Sequence, residues 1–298
     1  MVEIPLIDFS SGSDEELAAQ LAYAMGEVGF MTVTNIGIPT EIIDAIFRVS
    51  SQFFERDTDY KHQYLYRNVS ENFGYQGVGM ESLEPGKPGD LKETFTLRLA
   101  PGSDLGEDRW PSEAFRSTAQ NFYNECLGAA TRIMRLMARV FELPEDFFSA
   151  TVGGENVALR LLFYPREQQV ADGGEQLGAG AHTDYGILTL LFQSGVGGLE
   201  VRDGNGQWIP VPSIPGSVVI NTGDLMHRWT NGHFRSTEHR VKPMTSTQDR
   251  YSVAFFVDPD SQTLIEVLPQ CVDESEGVTY PPITAGEHIR QKLQRSHN

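Results

Sequence analysis

The chain has 298 residues, 40% of them apolar and 21% charged, which is ordinary globular usage and excludes a disordered or fibrous protein. At about 150 residues per domain, that length allows one large domain or two small ones, with a core that needs no disulfide staples. The net charge of −18 makes nucleic acid and anionic membrane poor partners, and no apolar run reaches the ~18 residues of a membrane span.

Ile4-Pro5-Leu6-Ile7-Asp8 reads as a short edge strand, with Pro where no ladder donor is needed. Ser13 and Glu16 have the spacing of a capping box. The helix behind them repeats Leu17, Leu21, Met25 and Val28 on one face and stops at Gly29. Phe30 to Asn35 is strand-like, and Gly37 and Pro39 break it. Thr40 to about Asp57 reads as a second helix, with Ile43, Ile46, Phe47 and Phe53 inward. Glu71 to Pro88 is rich in Gly and aromatic residues without periodicity and reads as a loop, and Leu91 to Leu99 as a strand. Trp110-Pro111-Ser112 opens the longest helix, where Phe115, Ala119, Phe122, Cys126, Ala130, Ile133, Met137 and Phe141 keep three- and four-residue spacing.

After Pro144 the texture becomes β-rich. The runs Val157–Tyr164, Ile187–Phe192, Gly198–Arg202, Trp208–Val211, Ser217–Asn221 and Tyr251–Val257 are separated by turn signals, of which Asp203-Gly204-Asn205-Gly206 is a strong hairpin turn. Short strands at close spacing favour a double-sheet jelly roll over alternating βα units. Ala285 to Arg295 closes the chain as a helix. The expected fold is mainly β with helical support: residues 1–110 form a mixed α/β N-terminal region packed on the core, and residues 111–298 hold the long helix, the jelly roll and the C-terminal helix.

Chemistry first appears at Ala181-His182-Thr183-Asp184-Tyr185-Gly186. On an extended chain, residues i and i+2 point the same way, so His182 and Asp184 face one centre. An imidazole and a carboxylate placed so can hold a divalent metal, and a third ligand is then needed. His239 is the candidate, although His227 and His233 lie close by. Two His and one carboxylate on one face leave three positions open, which suits non-haem Fe(II) activating O2. Arg250 and Ser252 decide for His239. They share one face of a strand whose Val253, Ala254, Phe255 and Phe256 mark it as buried, and an unpaired Arg is expensive there. A guanidinium fork beside a metal is how a cosubstrate carboxylate would be held.

With these residues in view, the chain resembles the iron(II)- and 2-oxoglutarate-dependent dioxygenases, the subgroup of isopenicillin N synthase and the plant flavonoid and gibberellin oxidases. The resemblance runs in order through Ile4–Asp8, Gly29-Phe30, Asn35–Pro39, Lys92–Phe95, His182–Leu191, Gly197–Val201, Asn221–Asp224, Trp229–Gly232, His239–Val241 and Arg250–Ser252. It implies a double-stranded β-helix (jelly roll) with a helical N-terminal part. It implies His182, Asp184 and His239 as the catalytic iron ligands. Arg250, Ser252 and Tyr164 are implied as binding the distal carboxylate of 2-oxoglutarate, with O2 as the other cosubstrate. Plant members usually have Asn where this chain has Leu162, so a polar contact from that position is not expected here.

If Tyr164 points inward, Leu162 and Arg160 do too, and Arg160 reads equally as an anchor for a substrate carboxylate or as half of an ion pair. Thr94, Thr96 and Phe256 match substrate-lining positions, and the two hydroxyls favour a polar substrate over a flat polyphenol. Gly197 and Gly198 are expected to supply unusual φ, and Asn221 and Asp224 to satisfy backbone donors in a tight turn. Trp208 and Trp229 read as core packing. The expected activity is hydroxylation, desaturation or cyclisation of a small specialised metabolite, coupled to release of succinate and CO2. Two other readings are a 2-oxoglutarate-independent oxidative cyclase, in which the Arg-x-Ser pair holds the substrate's own carboxylate, and a ligand-binding sensor without turnover. Only two cysteines, and a start at Met1-Val2-Glu3-Ile4-Pro5 without basic or apolar leader character, give the expectation of a cytoplasmic protein, a monomer or weak homo-oligomer.

Overall fold

Helices support and strands enclose in the computed structural model, which describes residues 3–68, 70–84, 86–102, 105–166, 176–243, 248–272 and 277–296. Helix α1 (Asp14–Glu27) is opened by the expected capping box: Ser13 Oγ accepts from the Glu16 amide, and the Glu16 carboxylate accepts from the Ser13 amide. Its Leu17, Leu21 and Met25 are buried. Helix α2 (Thr40–Phe54) ends three residues before Asp57, whose side chain instead caps a separate short helix, α3 (Thr58–His62). An Asp that can accept from the Tyr60 amide favours starting a helix over continuing one. Helix α4 (Glu113–Val140) is capped by Ser112, and α1 and α2 both pack on it.

The first 110 residues contribute β1 (Leu6–Asp8), β2 (Phe30–Thr34), β3 (Gly74–Gln76) and β4 (Glu93–Arg98). The later chain adds β5 (Val157–Tyr164), β6 (Ala179–His182), β7 (Leu188–Gln193), β8 (Leu199–Arg202), β9 (Trp208–Pro210) and β10 (Ser217–Thr222). A short helix α5 (Asp224–Trp229) precedes β11 (His239–Val241) and β12 (Arg250–Val257). A two-stranded ribbon of β13 (Leu264–Ile265) and β14 (Ile283–Thr284) leads into α6 (Ala285–Ser296).

One sheet has eight strands in the order β1-β2-β10-β7-β12-β5-β4-β3, and the second has four, β6-β11-β8-β9. The N-terminal strands therefore flank the central strands in the same sheet, and the architecture is the double-stranded β-helix. In the antiparallel register of β5 and β12, Tyr164 faces Arg250, Leu162 faces Ser252 and Arg160 faces Ala254. In the second sheet His239 pairs with His182. The aperiodic stretch 71–88 is not all loop, because β3 pairs through Gly74, Tyr75 and Gln76 with β4. Asp203-Gly204-Asn205-Gly206 joins β8 to β9, with Gly206 at φ 79° and Asp203 Oδ1 accepting from the Asn205 and Gln207 amides. The unusual φ expected at Gly197 and Gly198 occurs only at Gly198, at 114°. Trp229 is core, against Phe147 and Phe148, whereas Trp208 is half-buried under the Arg240 guanidinium.

Candidate active site

His182 ends β6, Asp184 follows two residues later, and His239 opens β11 directly across from His182. Their donor atoms lie within 4.8 Å of one another. Asp184 Oδ1 stands 3.9 Å from His182 Nε2 and 3.7 Å from His239 Nε2. Both imidazoles are aimed by their other nitrogen: His182 Nδ1 donates to the Gly180 carbonyl at 2.8 Å and His239 Nδ1 to the Thr237 carbonyl at 3.1 Å. This leaves both Nε2 lone pairs facing the centre, the tautomer a metal requires. Phe30 and the His239 ring pack in a T-shaped arrangement, at 5.2 Å between centroids.

The carboxylate is divided between two tasks. Asp184 Oδ2 accepts from Thr189 Oγ1 at 2.6 Å and from Asn221 Nδ2 at 2.7 Å, while Oδ1 faces the imidazoles. Burial alone would raise the Asp184 pKa, but the two imidazoles and then these hydrogen bonds outweigh it and hold the carboxyl below its usual range. Burial, with His239 beside it, pushes the His182 pKa down to about 3, so its imidazole is neutral at physiological pH. Asn221 thus orients the Asp184 carboxylate instead of serving the turn.

Asp224 likewise departs from the expected turn role. It accepts from Ser236 and Thr183, pairs with Lys292 at 2.5 Å, and has His288 of α6 nearby. His227 and His233 lie outside the cluster: His227 bonds the Phe234 carbonyl and the Tyr280 hydroxyl, and His233 the Thr230 carbonyl.

The triad opens into a cavity of about 470 Å³, within the size range of small-molecule sites. Arg250, fully buried at 0% exposure, lies at one end. Its Nη1 donates to Ser252 Oγ at 3.3 Å and its Nη2 to Gln193 Oε1 at 3.1 Å, and the guanidinium lies 4.6 Å from the centre of the Tyr164 ring. Its Nε has no partner, and no carboxylate pairs with it among the described residues. Burial without a counter-charge lowers its pKa.

Arg160, Thr96, Phe256 and Leu162 line the same cavity. Arg160 is ion-paired, with Nη2 2.9 Å from Glu81, and the same nitrogen reaches Gln76 and Thr94. Thr94 is only 2% exposed and is a partner of Arg160, not one of the cavity-lining residues. Glu81 also meets Lys92 at 3.0 Å. The residues that sequence reasoning missed are Thr189, Asn221 and Gln193, which hold others in place; Glu81, from the apparent loop; and Asp258, one alternation step past Phe256 on the cavity wall.

Two imidazoles, each with Nε2 turned to the centre, and one carboxylate oxygen are a donor set matched to Fe(II). The unpaired Arg250, facing the same space, fits the far carboxylate of a dicarboxylate that chelates such an ion. A jelly roll with this pair of features defines a class, the non-haem iron oxygenases that use a keto acid.

Comparisons with known proteins agree. Residues 155–259 match the family model of the 2OG-Fe(II) oxygenase superfamily, and residues 4–113 match the N-terminal model described as non-haem dioxygenase in morphine synthesis. The chain is 31% identical to a 2-oxoglutarate-Fe(II) type oxidoreductase of Emericella nidulans, covering 98% of this chain and 90% of the relative. It is 33% identical to a homoarginine-6-hydroxylase of Oryza sativa subsp. japonica, covering 97% and 96%. The crystal structure of a full-length Neurospora crassa protein in complex with alpha-KG superposes with a TM-score of 0.86 at 32% identity, covering 98% of this chain and 96% of that one. The same protein with alpha-KG and thymine superposes at 0.84. The chain belongs to the 2OG-Fe(II) oxygenase superfamily, whose members use Fe(II), 2-oxoglutarate and O2. The expectation of a 2-oxoglutarate-coupled enzyme is supported over the cyclase and sensor readings.

Proposed function

We propose that His182, Asp184 and His239 hold the iron, and that Arg250, Ser252 and Tyr164 hold the distal carboxylate of 2-oxoglutarate. When bound, the iron supplies the oxidising chemistry, fed by O2 and by decarboxylation of the keto acid to succinate and CO2. The chain's own residues do the positioning. Thr189 and Asn221 fix Asp184 so that one oxygen is offered to the metal, and the Gly180 and Thr237 carbonyls fix the two imidazoles. Arg250 exchanges a costly unpaired burial for a bidentate carboxylate contact. Arg160, Thr96 and Phe256 shape the substrate end, where polar groups on the wall favour a polar small molecule. Thr94 acts there through Arg160. A relative whose name specifies homoarginine and a neighbour structure that holds thymine support that choice.

The observation that carries this reading is the buried Arg250, unpaired, in the same cavity as the triad. The test is metal and cosubstrate stoichiometry. The protein should bind one Fe(II) per chain and, with Fe(II) loaded, 2-oxoglutarate. His182→Ala, Asp184→Ala and His239→Ala should each lose iron and turnover. Iron retained in His239→Ala but lost in His227→Ala or His233→Ala would contradict the ligand set. The reduced, buried Cys126 and Cys271 fit a cytosolic setting, and we place the protein there, as a monomer or weak homo-oligomer without nucleic-acid or membrane partners.

A further inference from the structure

The even-numbered residues of β12, from Arg250 through Phe256, line the cavity, and the alternation continues past the strand to Asp258. Arg250 at one end has a use in the reading above. Asp258 at the other has none. Among the described residues its carboxyl accepts no hydrogen bond and meets no cation, although it is partly buried. Burial, and then the charge of Asp184, push its pKa up to about 7. Besides Arg250, the cations lining the cavity are already engaged: Arg160 and Lys92 with Glu81, and Arg98 with the Ser70 carbonyl.

The position is built rather than incidental. A Cβ placed on Gly186 would overlap Asp258 Oδ1 and press on the Val257 carbonyl, so the absence of a side chain at 186 is what lets the carboxyl sit there. Gly186 follows Asp184 by two residues, a span of at most about 7 Å. The Asp258 carboxyl is thus within one small molecule's length of the metal ligands.

We propose that Asp258 selects the primary substrate by accepting hydrogen bonds from a nitrogen-bearing group: a protonated amine, a guanidinium or a ring N–H. This rests on the oxygenase reading of the site and names its substrate class. A carboxylate or carbonyl would set acceptor against acceptor at the ionised Asp258 and could be met only by its protonated form. An apolar group would leave a desolvated carboxyl unpaired, which is costly. A hydroxyl brings one donor and no charge, whereas a nitrogen group brings donors and, when protonated, the missing counter-charge. Holding that group fixes which C–H bond faces the metal.

The test uses the Fe(II)-loaded full chain with 2-oxoglutarate and O2, reading succinate release over matched probes: cadaverine against pentane-1,5-diol, thymine against 1,3-dimethylthymine, and L-proline against tetrahydrofuran-2-carboxylate. At least one N–H member should stimulate release fivefold or more, and its counterpart should not. For that compound, Asp258→Asn and Asp258→Ala should raise KM at least tenfold with kcat changed less than threefold, and Asp258→Glu should recover part of the loss. Equal stimulation by the counterparts, no stimulation by any N–H compound, or a KM within twofold of wild type in Asp258→Asn overturns the proposal. Calorimetric binding of 2-oxoglutarate to the wild-type Fe(II) protein is run alongside. If that binding is absent, the oxygenase reading fails; if it is present, the failure belongs to Asp258 alone.

Discussion

Arg160 and Arg250 stand on neighbouring strands of one sheet, face one cavity, and are matched in opposite ways. Arg160 is paired: Glu81 lies 2.9 Å away, and Gln76 and Thr94 accept from the same nitrogen. Arg250 has a hydroxyl, an amide oxygen and an aromatic face, but no carboxylate. Burial lowers the pKa of both guanidiniums. At Arg160 the Glu81 charge outweighs it and the pKa is raised, while at Arg250 it stays lowered. A chain that neutralises one buried cation and leaves its neighbour without a counter-charge marks the second as the place where an anion must arrive. The two ends of the cavity therefore differ in kind. The Arg250 end has no counter-charge and is where we propose that a ligand carboxylate binds, and the Arg160 end is largely complete as folded.

This contrast can be broken at either end. The largest effect is expected from Arg250→Ala, which should raise the KM for 2-oxoglutarate by roughly 30-fold to 1,000-fold or more. That corresponds to the 2–5 kcal/mol typical of truncating a buried charge pair, and the KM for the primary substrate should move far less. Glu81→Gln should turn Arg160 into a second unpaired cation. Because Glu81 is 26% exposed, the cost should fall below the range for fully buried pairs, at about 1–3 kcal/mol in urea denaturation. Arg160→Leu should raise the substrate KM about tenfold, as loss of one charge-assisted contact would. It should change the 2-oxoglutarate KM less than threefold and leave iron content intact; lost iron or fold would make Arg160 purely structural.

The smallest effect concerns Asp258 in metal-free protein. Its carboxyl titrates near 7 when folded and near 3.9 when unfolded. The native state therefore holds the extra proton between those values, and stability falls as pH rises from about 4 to 7. Asp258→Asn should therefore be more favourable to stability at pH 8 than at pH 5. Equal stability changes at the two pH values would remove the case for a desolvated carboxyl there.

Much of this site could be read from local pattern, because a strand's two-residue period needs no knowledge of its partners. The runs Val157–Tyr164 and Tyr251–Val257 are apolar enough to declare themselves, and their parity put Arg160, Tyr164, Arg250 and Ser252 on one wall. β6 and β11 escaped because they have four and three residues and carry His182 and His239 where a strand would show apolar residues. Pairing makes them strands: β6 with β11, and β11 with β8 as well. Glu81 escaped for a different reason: its partner Arg160 is 79 positions away, and nothing in an aperiodic Gly-rich stretch signals such a contact. Asn221 was misassigned because a turn explains an Asn locally, whereas its bond to Asp184 spans 37 positions.

The most direct measurement is a thermodynamic cycle on Arg250 and the distal carboxylate of the cosubstrate. Calorimetry under anaerobic conditions would compare 2-oxoglutarate with 2-oxobutanoate, which lacks that carboxylate, in Fe(II)-loaded wild type and Arg250→Ala. The expected result is a strong preference for 2-oxoglutarate in wild type that collapses in the variant, with a coupling of about 2–5 kcal/mol. A preference of the same size in both proteins would show that the carboxylate is held elsewhere, and would contradict the role given to the unpaired arginine.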